Sequence, residues 1–125
     1  MFDTKKIMKT DVITVMRQTP VYEAIEILLD NNITGLPVVN DDGTIAGIIS
    51  EKDVLVLLSD LKDGSARVEN FMTEKVVSFD WEDDLIAICE CLINSNFRRV
   101  PITTRGKLAG IISRKDLIKY ILEPI

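Results

Sequence analysis

Apolar positions along this chain switch between a period of two and a period near 3.6, and they do so twice in the same order. Val12 to Val15 is a β-branched run that predicts a short strand. Thr19-Pro20 then predicts a helix start, threonine as cap and proline in the first position. Val21, Ala24, Ile25, Leu28 and Leu29 follow at helical spacing, and Asn31-Asn32 ends the run. Leu36 to Val39 and Thr44 to Ile49 predict two strands joined by a turn at Asp41-Asp42-Gly43, hence a hairpin. The second pass predicts a strand over Val76 to Phe79, a helix from Asp83 to Asn94, strands at Val100 to Thr103 and Leu108 to Ile112 around Arg105-Gly106, and a closing helix to Leu122.

The two passes are copies. Gly47-Ile48-Ile49-Ser50-Glu51-Lys52-Asp53 returns as Gly110-Ile111-Ile112-Ser113-Arg114-Lys115-Asp116. Met8 matches Met72, Val12 Val76, Glu26 Glu90, Leu28 Leu92, Asn32 Asn96 and Pro37 Pro101 at one constant offset, with a one-residue slip near Asp42. Self-similarity over roughly fifty residues marks two copies of one supersecondary unit that bury their apolar faces together. The expected organisation is one repeat over 7–61, a linker at 62–66 (Lys62-Asp63-Gly64-Ser65-Ala66) and a second repeat over 67–123, together one compact domain of α+β class built from α/β-type repeats.

The helices carry more apolar surface than one core-facing stripe needs. Tyr22 and Ile27, and Ile86 and Cys91 at the matching places, lie off the main stripes, while Val54 to Leu58 and Leu117-Ile118, Tyr120-Ile121 are apolar nearly all round. Leftover apolar surface on a chain of 125 residues predicts a homodimer built through helices.

Charge and composition then narrow the chemistry. A formal charge of −5 argues against a general DNA or RNA binder, so any anion site must be local. The absence of histidine removes the commonest general base and metal ligand. Cys89 and Cys91 have no partners at a metal-site spacing; Cys89 falls opposite Ile25 and fits a small buried hydrophobe better than a redox role. No stretch approaches the ~18–20 apolar residues of a membrane span and the first residues lack a signal-peptide core, so a cytoplasmic protein without a membrane partner is expected.

In the duplicated segment a glycine allows close approach of a ligand or another strand, two isoleucines fit a buried strand, and Ser-x-x-Asp stands where the strand gives way to a helix. Two readings of that tetrad stay open. One is a capping box, needing no ligand. The other is a nucleoside phosphate site, with helix amides for phosphate, a carboxylate for the two ribose hydroxyls and an apolar slot for the base. Lys52, Arg114 and Lys115 either add charge there or point to solvent. Arg98-Arg99, opposite Thr34-Gly35 in the first copy, is either a solvated strand start or a phosphate fork.

Tandem copies of strand, helix, a Leu/Val-Pro-Val/Ile strand and a Gly-x-x-Ser-x-x-Asp turn resemble a pair of cystathionine β-synthase (CBS) domains, the Bateman module, from Ile7-Met8 to Ile121. The resemblance implies two β-α-β-β-α motifs packed about a pseudo-twofold axis, with clefts that take AMP, ADP, ATP, S-adenosylmethionine or NAD-type ligands. Carried over by position, Asp53 and Asp116 hold ribose hydroxyls, and Ser50 and Ser113 lie near ribose or phosphate. Ile13, Thr14, Val77, Ser78, Pro37, Pro101, Gly47 and Gly110 line the base, and Arg98 and Arg99 reach phosphate. The implied role is regulatory, an energy sensor signalling through a dimer to an effector protein. Thr34-Gly35 departs from the basic pair, which weakens or empties the cleft depending on it. The alternative is a structural or dimerisation module with degenerate clefts. An enzyme is not expected, because no nucleophile stands beside a base and no metal cluster is evident.

Overall fold

The two hairpins form as the turn chemistry requires. In this computed structural model, which describes residues 3–59 and 65–123, Asp42 Oδ1 accepts from the Thr44 amide at 3.0 Å and from its hydroxyl at 2.6 Å, closing the first turn. At the second, Arg105 and Gly106 both take positive φ (53° and 77°), the geometry that matches the twist of the flanking strands. The Lys62-Asp63-Gly64 part of the expected linker lies outside the described residues.

Element order follows the sequence pattern, with additions. Helix α1 (Thr4–Ile7) precedes β1 (Val15–Met16), α2 (Val21–Asp30), β2 (Gly35–Val39), β3 (Ile45–Ser50) and α3 (Glu51–Ser59). A single 3-10 turn (Val68–Asn70) then leads to β4 (Phe79–Asp80), α4 (Leu85–Asn94), β5 (Arg99–Thr104), β6 (Lys107–Ser113) and α5 (Arg114–Leu122). Each copy makes a three-stranded sheet, β1-β2-β3 and β4-β5-β6, parallel in its first pair and antiparallel in its second. The class is mixed α+β, as expected.

The first strand of each copy is shorter and later than its β-branched run suggests. β1 pairs only Val15 with Val38 and Met16 with Val39, and β4 only Phe79 with Ile102 and Asp80 with Thr103. Pro37 and Pro101 sit one residue before these pairs on the central strands and carry no N–H to continue the parallel ladder. Ile13-Thr14 and Val77-Ser78 are therefore released from the sheet beside the prolines. A second correction concerns the start of α2: Pro20 is the cap residue rather than the first helical one, and Thr19 Oγ1 accepts from the Met16 amide at 3.0 Å instead of capping the helix.

The chain packs as two compact units, one of Ile13–Val76 and one joining Met1–Val12 to Val77–Ile125. The segment leading into each repeat thus belongs with the other repeat's body. In the first unit Val21, Leu28, Leu36, Val38 and Ile49 pack with Val68 and Met72; in the second Ile88, Leu92, Val100, Ile102 and Ile112 pack with Ile7. Polar clips hold the leaders. Thr4, 2% exposed, donates to the Asp83 carbonyl at 3.2 Å, and Lys5 pairs with Glu82 at 3.2 Å and lies 5.2 Å over the Trp81 ring. In the other unit the Val68 amide donates to the Thr19 carbonyl at 2.9 Å and the Val21 amide to the Ala66 carbonyl at 3.0 Å.

Candidate functional site

The duplicated segment is where each leader docks. Ile48 and Thr73 exchange backbone hydrogen bonds at 2.9 and 2.8 Å, and Lys9 and Ile111 do so at 2.9 Å in both directions. These bridges cover the outer edges of β3 and β6, which would otherwise present unpaired amides and carbonyls. The neighbouring glycines make the approach possible. A Cβ on Gly47 would stand 2.6 Å from the Thr73 carbonyl oxygen and 3.0 Å from Met72 Sδ; on Gly110 the distances to the Lys9 carbonyl oxygen and Met8 Sδ are 2.7 and 2.8 Å. Gly47 and Gly110 were expected to line a base pocket. In the structure the space a side chain would fill at each belongs to the leader backbone and its methionine.

Both aspartates are the third residue of their helix and reach back to the serine that precedes it. Asp53 Oδ2 accepts from the Ser50 amide and from Ser50 Oγ, each at 2.9 Å, while the Asp53 amide donates to Ser50 Oγ at 3.4 Å. Asp116 Oδ2 accepts from the Ser113 amide at 2.9 Å, and the Asp116 amide donates to Ser113 Oγ at 3.1 Å, a full capping box. The remaining oxygen of each carboxylate meets the leader. Thr73 donates its hydroxyl to Asp53 Oδ1 at 3.1 Å, and Lys9 Nζ lies 3.5 Å from Asp116 Oδ1. Asp116 is buried, with 7% of its side chain exposed, whereas Asp53 is half-buried.

The other candidates separate into engaged and free groups. Arg114 donates Nε to the Leu92 carbonyl at 3.1 Å and Nη2 to the Ser95 carbonyl at 2.8 Å, so its fork closes the carboxyl end of α4, where a cation also suits the helix dipole. Lys52 and Lys115 are exposed on the first turns of α3 and α5. Arg98 is exposed and Arg99 half-buried, at and just before the start of β5; neither side chain makes an ion pair or hydrogen bond among the described residues. Pro37 and Pro101 are buried, Thr14 is half-buried, and Ile13, Val77 and Ser78 are exposed where the parallel ladders stop.

Lys9 and Thr73 were missed by sequence reasoning, although each directly follows one of the matched methionines, Met8 and Met72, and that position was the available signal. Cys89 and Cys91 are free and partly buried against the second core. Burial, and then the Asp84 charge, push the Cys89 thiol above its ordinary value, so it stays protonated and behaves as a small apolar group. Asp84 itself caps α4, accepting from the Ile86 amide at 3.1 Å. No helix among the described residues is long and apolar enough to cross a membrane.

Comparison with known proteins agrees with this architecture. The chain is similar to the uncharacterized protein MJ1426 of Methanocaldococcus jannaschii, at 39% identity over 94% of this chain and 90% of that one. It is also similar to MJ1225 of the same organism, at 32% identity over 94% of this chain, and spans 42% of that protein's length. The crystal structure of CBSX2 from Arabidopsis thaliana in complex with AMP superposes with a TM-score of 0.88 at 28% identity, covering 98% of each chain. The CBS domain family profile matches residues 5–60 and 68–123, the two repeats with their leaders. The chain belongs to the CBS domain family and carries two CBS domains in tandem.

Proposed function

We propose that the chain is a regulatory module that takes an adenosine-based ligand and passes its bound state to another protein. The observation that carries this reading is the likeness, along 98% of the chain, to CBSX2 in complex with AMP. The chemistry of the first unit supports it. Asp53 stands half-buried at the amino end of a nine-residue helix, with the Ser50 hydroxyl beside it. Ile13 and Thr14 lie free of the sheet beside Pro37, which suits a flat base. In this reading a ribose diol donates to Asp53, and phosphate or another anionic group is met by helix amides and Lys52; in the second unit Arg98 and Arg99 are cations available to an anionic group there. Candidate ligands are AMP, ADP, ATP and S-adenosylmethionine, and the effector is a protein of another chain. Ligand changes output only by preferring one arrangement of the module.

Calorimetric titration with those four compounds and NAD, with GTP as control, tests the reading. The expected result is a micromolar, adenine-specific signal, about −8 kcal/mol, that is lost in Asp53→Ala. Silence from every adenosine compound removes it.

A second reading is favoured by a specific observation: both carboxylates already have internal partners on both oxygens. A structural module then explains the motif, and Asp53→Ala and Asp116→Ala each lower stability by about 1 kcal/mol with no ligand phenotype.

The module is proposed to act as a homodimer. Tyr22 and Leu29 on α2, Leu55 and Leu58 on α3, and Ile118 and Ile121 on α5 are all exposed. That much outward apolar surface is characteristic of interfaces. Sedimentation equilibrium is expected to give twice the chain mass at high micromolar concentration; a monomer there excludes the dimer.

A further inference from the structure

The two repeats place different chemistry on the same atom. Thr73 and Lys9 occupy matching positions, each after a methionine that packs on the motif glycine, and each reaches the aspartate oxygen that the helix cap leaves over. Over Asp53 that partner is a neutral hydroxyl at 3.1 Å, and every other donor to the carboxylate is neutral as well. Over Asp116 it is an ammonium at 3.5 Å, on a carboxylate only 7% exposed.

A diol that gives one hydroxyl to each oxygen of a carboxylate meets the oxygen that the leader holds. At Asp53 an incoming hydroxyl replaces the Thr73 hydroxyl, an exchange of like for like in which the carboxylate keeps the same kind of partners. At Asp116 the diol must displace the Lys9 ammonium, an ion pair at 3.5 Å whose carboxylate is only 7% exposed, so the attraction on that side is screened less than between two surface charges. The displaced arrangement also leaves a nearly buried carboxylate without its compensating cation, the more expensive state.

We infer that Lys9 is an occupancy-determining residue: it closes Asp116 to ribose, while Thr73 leaves Asp53 open, so the chain takes one adenosine ligand through Asp53. The inference rests on the reading of function above and adds which aspartate is used and what decides it. The leader position thereby sets the number of ligands per chain, and exchanging its two residues exchanges the sites.

The test is calorimetric stoichiometry with AMP and with S-adenosylmethionine on the whole chain and on Lys9→Thr, Thr73→Lys, Asp53→Asn and Asp116→Asn, with circular dichroism melts to establish that each variant folds. The expected result is one ligand per wild-type chain, retained in Asp116→Asn and reduced at least tenfold in affinity in Asp53→Asn and Thr73→Lys. Lys9→Thr is expected to take two. One ligand in both the wild type and Lys9→Thr overturns the inference and leaves the functional reading standing. Two ligands in the wild type, or weaker binding in Lys9→Thr, overturns it too, the latter by making Lys9 a ligand contact. No binding by the wild type or any variant removes the functional reading and this inference together.

Discussion

Gly47→Ala is expected to lower the stability of the chain by about 3 kcal/mol, as is Gly110→Ala. The added methyl meets a backbone oxygen at 2.6 Å in the first case and 2.7 Å in the second, and neither oxygen moves unless its strand moves. Moving the strand breaks the reciprocal bridge between Ile48 and Thr73, or between Ile111 and Lys9, at about 0.5–1.5 kcal/mol for each hydrogen bond. The methionine above it must also shift, and overpacking of this kind typically costs about 1–3 kcal/mol. A fall in Tm of about 10 °C follows for a chain of this size. Gly106→Ala is the control: nothing lies within 4 Å of its Cβ position, so only the positive φ of 77° opposes it, at about 1–2 kcal/mol. Melts of Gly47→Ala and Gly110→Ala within 2 °C of the wild type would show that the leaders are not seated in solution.

Leu36→Ala is expected to cost about 3 kcal/mol through the cavity it leaves. The side chain is fully buried among Val21, Leu28, Val38 and Ile49, none of which can close over the gap without leaving its own packing. The apolar clusters of the two units share no residue, so the loss should be regional. Hydrogen exchange should accelerate for amides of Ile13–Val76 while those of Val100 and Ile102 in β5 keep their protection. Equal acceleration in both units would mean that they open as one.

Much of this architecture was legible because it is local. The helical spacing of Val21, Ala24 and Leu28, the Asp-Gly and Arg-Gly turns, and the Ser-x-x-Asp at each strand-to-helix junction all act within a few residues, and each formed where expected. β1 and β4 were misplaced because a β-branched run states a preference, whereas Pro37 and Pro101 on the neighbouring strands decide how far the ladder extends. The docking of Met8-Lys9 on Gly110-Ile111 and of Met72-Thr73 on Gly47-Ile48 was not legible, since periodicity says that an edge needs covering and not which segment covers it. At the candidate site, the spacing of Ser50 with Asp53 and of Ser113 with Asp116 foretold their mutual hydrogen bonds. The Arg114 charge is visible in the sequence, whereas the Leu92 and Ser95 carbonyls that it meets are not.

The crossed leaders also set an order of assembly. Thr73 and Asp53 are 20 residues apart, whereas Thr4 and Asp83 are 79 apart. Closing the longer loop is less favourable by about 1.2 kcal/mol on the logarithmic scaling of loop entropy. Ile13–Val76 is also continuous, so during synthesis it can be complete while its own leader-covered edge is already sealed. The other unit has to wait, because Lys9 has no Ile111 to pair with until β6 has emerged. The Thr4–Lys9 segment, made before the Ile13–Val76 unit, therefore finds its place only after that unit is complete.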